Sequence, residues 1–373
     1  MTLPTLYKKT KTGKIQQYDV RVDGSTIYVT QGQTDGKKQT YPTVITEGKN
    51  ISKANETTPA EQAISEARSK HAKKIKAGYS TNPEGTITKL LPQKVKVYQD
   101  LFTSAKTQEN LVLPCLVEPK LNGVNGSFRL SNSLELFSRG GEDYPIPPHQ
   151  IDPITDIMQH FGLPELNVEE YTHGAFLEDI QSAIKKNNPN TQHLIAYIFE
   201  LPGLDMDYAE KVAIKYDIMD YITKKGYQNA VQVVIPKRVG TLDEIELTYI
   251  QCMSMGFEGL IVTNMRSRYK HNIRSSDVWK YKIAQDAEFQ IVDCEADKSG
   301  HPVFHCTTKE GGIFKVKPKG TDEQRKAIID SFESKYLHQW YKVEFECYSK
   351  KGIPQKPVGV GLRKCDSDGK PLE

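Results

Sequence analysis

Lys120 stands in the run Glu-Pro-Lys-Leu-Asn-Gly (118–123), at the end of a strand-like apolar stretch and just ahead of a glycine that can turn the chain. A lysine in such a place is a candidate nucleophile. To act as one it must be uncharged, although its free pKa is about 10.4. Nearby cations disfavour the ammonium form by like-charge repulsion, and partial burial works in the same direction. The run Trp-Lys-Tyr-Lys (279–282) supplies such cations: Lys280 and Lys282 flank Tyr281, so on a strand both face one side. Glu258 lies between Phe257 and the apolar Leu-Ile-Val that follows Gly259. An unpaired carboxylate would be costly there, which favours a role for it. Lys315, Lys317 and Lys319 alternate along one strand face, as a phosphate-tracking surface would.

The elements that must hold these groups are legible in outline. Val20 and Val22 before Asp23-Gly24, then Ile27 and Val29 after it, predict a hairpin. From Thr58 the pattern becomes helical, with Pro59 near the start, Ala63, Ala67 and Ile75 at roughly helical spacing, and Gly78 beyond the end. A small basic module over residues 1–85 is expected from this, followed by a turn-rich linker, Ser80–Thr86. Between residues 86 and 285, strand-like runs (CLVEPKL, GSFRL, HLIAYIFEL, EGLIVTN) alternate with helical stretches, predicting an α+β core. Residues 286–373 hold five strand-like runs and one helical stretch, which suits a small barrel of the OB type.

At 373 residues the chain is long for one core, so two or three domains are expected. The net charge is +3, but residues 1–90 hold 15 Lys and Arg against 8 Asp and Glu, leaving the remainder at −4. That asymmetry points the N-terminal module toward an acidic partner, nucleic acid being the commonest. None of the six cysteines forms a CxxC pair, so neither a zinc ribbon nor a disulfide framework is indicated, and a reduced, cytoplasmic setting is expected. No apolar run approaches the ~18 residues of a membrane span, and the N-terminal segment lacks the apolar stretch of a secretory signal.

Seven short segments fall in one order: EPKLNG (118–123), FSRG (137–140), LNVEEYTHG (166–174), YIFEL (197–201), FEGLIV (257–262), WKYK (279–282) and KPVGVGLR (356–363). The series resembles the nucleotidyltransferase motifs of ATP-dependent DNA ligases, above all the compact viral and phage enzymes, through roughly residues 88–373. The resemblance implies a nucleotidyltransferase (adenylation) domain with a C-terminal OB-fold barrel. It implies that Lys120 takes AMP from ATP, that Lys280 and Lys282 meet the phosphates, and that Glu169 and Glu258 direct Mg²⁺ (or Mn²⁺) and the ribose. Glu118 falls where the adenine base is read, and Phe199 where an aromatic stacks on it, with Tyr197 as competitor. Arg139 matches a phosphate-gripping arginine, and Arg363 the barrel arginine that orients pyrophosphate. A monomer that closes on nicked duplex DNA is implied, with a phage or virus acting in its host as the setting.

The match departs at three places. Where the family writes Lys-x-Asp-Gly-x-Arg, this chain has Asn122 and Asn125, and Asp-Gly-Glu becomes Asn167-Val168-Glu169. Asparagine keeps an acceptor oxygen but carries no charge. Asn125 also resembles the first motif of nick-repairing RNA ligases, so an RNA–DNA hybrid stays open as substrate. A capping guanylyltransferase and a non-catalytic nucleic-acid-binding protein are the alternatives from other classes. A GMP adduct would mark the former, and absence of any adduct the latter.

Overall fold

The computed structural model describes all residues except Lys11, Lys53, 84–89 and Glu373, so the boundary expected at 85/86 and the end of the expected linker lie outside the described residues. The chain groups into two units, residues 1–92 with 137–143, and 93–136 with 144–373.

In the first unit, strands Leu6–Lys9, Ile15–Asp23, Thr26–Gln33 and Gln39–Val44 form a four-stranded sheet in that order. Asp23 pairs with Thr26, so the predicted hairpin closes through two residues, Gly24-Ser25, with Gly24 at φ 55°. A positive φ at the first loop position is what glycine supplies there. The helix Pro59–Lys76 is fixed at its start by a reciprocal cap, the Thr58 side chain accepting from the Glu61 N–H while the Glu61 carboxylate accepts from the Thr58 N–H. Ala63 and Ala67 reach the core with Leu6, Tyr18, Val20 and Ile27. Ile75 does not: it is exposed, because eight residues past Ala67 the helix has turned about 80° off that face.

The second unit packs two sheets and a barrel. One sheet runs Lys237–Val239, Cys115–Lys120, Gly259–Asn264, Arg274–Tyr281, Lys94–Val97. Its outer face is a core of Cys115, Val117, Leu260, Val262, Trp279 and Tyr281 covered by Ile245, Tyr249 and Cys252 of helix Leu242–Ser254. A second sheet includes Val231–Val233, Ile195–Glu200, Glu165–Tyr171 and Val124–Leu130 as successive neighbours. Its core draws on helices Ile151–His160, Leu177–Lys185 and Tyr208–Lys225. The C-terminal part is the expected five-stranded closed barrel, Gln285–Ala296, Pro302–Thr307, Ile313–Pro318, Val358–Leu362 and Trp340–Phe345, with helix Asp322–Asp330 against it. Among the described residues no helix is long and apolar enough to cross a membrane.

Glu170 is an anomaly in this core. It is fully buried, accepts one hydrogen bond from Gln150 Nε2 at 2.9 Å, and its Oε1 has no partner among the described residues. Burial pushes its carboxyl up to about 7, Gln150 opposing and Glu169 adding to the rise. The folded state therefore holds this proton more tightly than the unfolded chain. The stability that goes with it is present at low pH and is lost as pH rises from about 4.5 to about 7. Glu170→Gln should then raise the melting temperature at pH 8, by the equivalent of up to about 3 kcal/mol, and change little at pH 4.5. Scanning calorimetry at both pH values checks this. Equal effects at both would contradict it.

Candidate active site

Lys120 closes its strand as the sequence implied, and strand register gathers the other groups around it. Gly259 lies opposite Lys120, while Ile261 lies between Glu118 on one side and Lys280 on the other. The Glu258 N–H donates to the Lys120 carbonyl at 2.9 Å. Glycine is required at two points of this frame. A Cβ on Gly259 would stand 2.3 Å from the Tyr281 carbonyl oxygen, and one on Gly123 would stand 2.4 Å from the Glu170 carbonyl oxygen and 2.9 Å from Glu169 Cγ. The turn after Lys120 is thereby held close to the strand that carries Glu169.

At the centre is Glu258. Lys120 Nζ donates to its Oε2, and Lys282 Nζ to its Oε1 at 2.9 Å. Burial alone would raise the Glu258 carboxyl, but Lys120 and Lys282 outweigh it and hold the group below its ordinary value. Lys282 also pairs with Glu346 of the barrel at 2.9 Å, and Lys356 pairs with the other oxygen of Glu346 at 2.6 Å. Burial opposes the charge of Glu346, yet these two lysines bring its carboxyl down to about 2. Lys280 is pushed down by burial first and then by the Lys282 ammonium, against the opposing pull of Glu346 and Glu258. Tyr281, between the two lysines, faces away into a stack with Tyr98 and Tyr249 at 4.6 and 4.1 Å between ring centroids. The sequence pointed to cations around Lys120. The structure supplies them and adds a carboxylate, Glu258, that engages the Lys120 ammonium.

The remaining site candidates fall in several places. Glu118, on the same strand face as Lys120, is buried and bonded to Tyr208. Phe199 and Tyr197 lie two apart on strand Ile195–Glu200, both partly buried against the second sheet's core, and Glu169 pairs in register with Tyr197 and Asn125. Asn122 is in the turn after Lys120, and Asn125 Oδ1 is buried with no partner among the described residues. Asn167, where the family has aspartate, is a structural strut: it accepts from Ser127 Oγ at 2.8 Å and donates to Tyr269 at 2.7 Å. Arg139 is exposed, among the residues that group with the first unit. Arg363 engages Glu288 at 3.3 Å and not the lysine cluster. Lys315, Lys317 and Lys319 each bond a carboxylate, Glu295, Asp297 and Glu344 respectively, so a polyanion would have to displace these pairs. Among the described residues no three His, Cys, Asp or Glu side chains gather as a metal cage.

Sequence reasoning passed over Glu346, whose meeting with Lys282 crosses from barrel to sheet and leaves no local trace. It also passed over Lys211 and Lys215. These share the spacing of buried Tyr208, Ile218 and Ile222 on their helix, a stripe in which two lysines occupy core positions.

Comparison with known proteins adds the following. The family model described as ATP dependent DNA ligase domain matches residues 92–282, which contain Lys120, Glu258, Lys280 and Lys282. The chain is 27% identical over 363 residues to the DNA ligase of African swine fever virus (tick isolate from Pretoriuskop, South Africa), covering 91% of this chain and 83% of the viral protein. The DNA ligase of a Namibian warthog isolate of that virus is 26% identical over the same shares. Among solved structures, a Lig E DNA ligase superposes with a TM-score of 0.57 at 18% identity, covering 74% of this chain and all of that one. At that identity the likeness is one of fold.

Proposed function

Because the chain belongs to the ATP-dependent DNA ligase family, we propose that Lys120 is the residue that carries AMP while the enzyme joins a 5′-phosphate to a 3′-hydroxyl in duplex DNA. The observation that supports this reading best is the cluster of Lys120, Glu258, Lys280 and Lys282 at the ends of three adjacent strands. Lys120 Nζ, having shed its proton, attacks the α-phosphorus of ATP. A phosphorus–nitrogen bond forms, the α–β anhydride breaks and pyrophosphate leaves. The 5′-phosphate at the break then takes the AMP from Lys120, which recovers a proton. Finally the 3′-hydroxyl attacks that phosphate and AMP departs. Lys280 and Lys282 stand where negative charge accumulates, and positioning and charge neutralisation are most of what such transfers demand.

Mg²⁺ fits the donors present. It takes one or two carboxylates together with substrate phosphates, and Glu258 and Glu169 would hold it, adding charge neutralisation at the phosphates. Glu258 already binds two cationic groups, so a cation in place of Lys120 meets an ionised acceptor. Arg363, drawn from Glu288, would reach pyrophosphate only after the barrel moves. Arg139 and Lys315, Lys317 and Lys319 would follow the DNA backbone, the basic first unit would add to that grip, and the enzyme would act as a monomer.

A second substrate reading has its own observation. The buried, unpartnered Asn125 Oδ1 is an acceptor suited to a sugar hydroxyl, which favours tolerance of RNA in one strand. A sealing assay on nicked duplexes with DNA or RNA on each side of the break tests both readings. The expected result is ATP-dependent sealing of the all-DNA nick, with at least one hybrid also sealed. Sealing of RNA nicks alone would overturn the DNA reading, and rejection of every hybrid would remove the second.

A further inference from the structure

Helix Tyr208–Lys225 places a fully buried ammonium on the strand face that Lys120 and Glu118 share. Lys215 Nζ lies 2.7 Å from Tyr208 Oη, 3.3 Å from the Val234 carbonyl oxygen and 3.5 Å from Glu118 Oε2. The Tyr208 hydroxyl, accepting from Lys215, donates to Glu118 Oε2 at 2.8 Å. All three side chains are buried. Its helical neighbour Lys211 is engaged elsewhere, with Glu200 at 2.8 Å. Removing an ammonium and a carboxylate from water costs several kcal/mol each, and their attraction seldom returns more than that. An apolar pair would fill this space with less cost, so the arrangement calls for a use beyond packing.

Both contacts fall on Oε2 of Glu118, and Oε1 carries no hydrogen bond among the described residues. Glu118 and Lys120 are two apart on one strand, so their side chains share a face about 7 Å apart. The geometry points to Lys215 and Tyr208 as positioning residues that set the choice of nucleotide base, by holding Glu118 as an oriented carboxylate with Oε1 turned to the ligand. This rests on the reading that Glu118 meets the base of the nucleotide that Lys120 attacks. An ionised carboxylate only accepts hydrogen bonds. It therefore takes the 6-amino group of adenine and is repelled by the 6-oxo group of guanine. Once protonated it can donate to that 6-oxo group, and the distinction fades. Burial pushes the Glu118 carboxyl up, and Lys215 and Tyr208 are the groups that draw it back.

The test is the rate of covalent adduct formation by the full-length protein with labelled ATP and labelled GTP, from pH 6.5 to 9. Lys215→Met should lower the ATP-over-GTP preference at least tenfold at pH 7 and by less as pH rises, because a falling proton concentration favours the ionised carboxylate. Tyr208→Phe, which keeps the ring and removes only the bridging hydroxyl, should move the ratio the same way by a smaller factor. It decides the matter if Lys215→Met does not give a cooperative melt. Glu118→Gln should change the ratio at every pH. An unchanged ratio in Lys215→Met and Tyr208→Phe, with a changed one in Glu118→Gln, would overturn the positioning role and leave base reading by Glu118 standing. An unchanged ratio in Glu118→Gln would overturn the base reading itself.

Discussion

Lys120→Ala should abolish the covalent adduct with ATP and, with it, all sealing of an ordinary nick. No nearby group can substitute. Lys280 sits on the next strand but one, and Lys282 is tied to Glu258 and Glu346. The variant should fold, because Lys120 is partly exposed and its removal leaves Glu258 still paired with Lys282. The loss should be selective by step. A nick supplied with its 5′ end already adenylylated needs no lysine nucleophile, so Lys120→Ala should still close it. Gel assays on ordinary and pre-adenylylated nicks distinguish the outcomes. An adduct that survives the substitution, or failure on both substrates in a folded protein, would remove Lys120 from its role.

Glu258→Gln should have the next largest effect, slowing adduct formation by roughly two orders of magnitude, the scale of losing one preorganised electrostatic group from an active site. The glutamine is the same size and can still accept from Lys282. What it removes is the charge that holds the Lys120 and Lys282 ammonium groups together in a partly buried space, beside Lys280. Without it the lysines lose their fixed placement, and the phosphates meet a disordered set of donors. Single-turnover adduct formation at saturating ATP measures this directly. A rate within threefold of the unsubstituted enzyme would show that the carboxylate is dispensable.

Much of this frame was legible in the sequence because it is local. The apolar run that ends at Lys120 and Gly123, the Trp-Lys-Tyr-Lys alternation and the five barrel strands each follow from residue type and a period of two. The helix that starts after Thr58 also follows from local signals, although the reciprocal cap between Thr58 and Glu61 was passed over. Ile75 shows where such reading drifts, since a helical count carried over eight residues accumulates a rotation that puts it in solvent. The pairings that set charge are another matter. Glu258 with Lys120, Lys282 with Glu346, and Lys215 with Glu118 join residues 138, 64 and 97 apart in the chain, and only the packed sheets bring them together. At Asn167 the sequence showed only that the family's aspartate is replaced. Its two hydrogen bonds, to Ser127 on the neighbouring strand and to Tyr269 in a loop about a hundred residues on, make it a brace.

The most direct test of covalent catalysis at Lys120 is to react the purified protein with ATP and Mg²⁺, digest it, and locate the AMP-bearing peptide by mass spectrometry. The prediction is a single AMP on the peptide that contains Lys120, discharged by pyrophosphate and by nicked DNA. AMP on Lys280, Lys282 or any other side chain, or an adduct that neither reagent discharges, would contradict it.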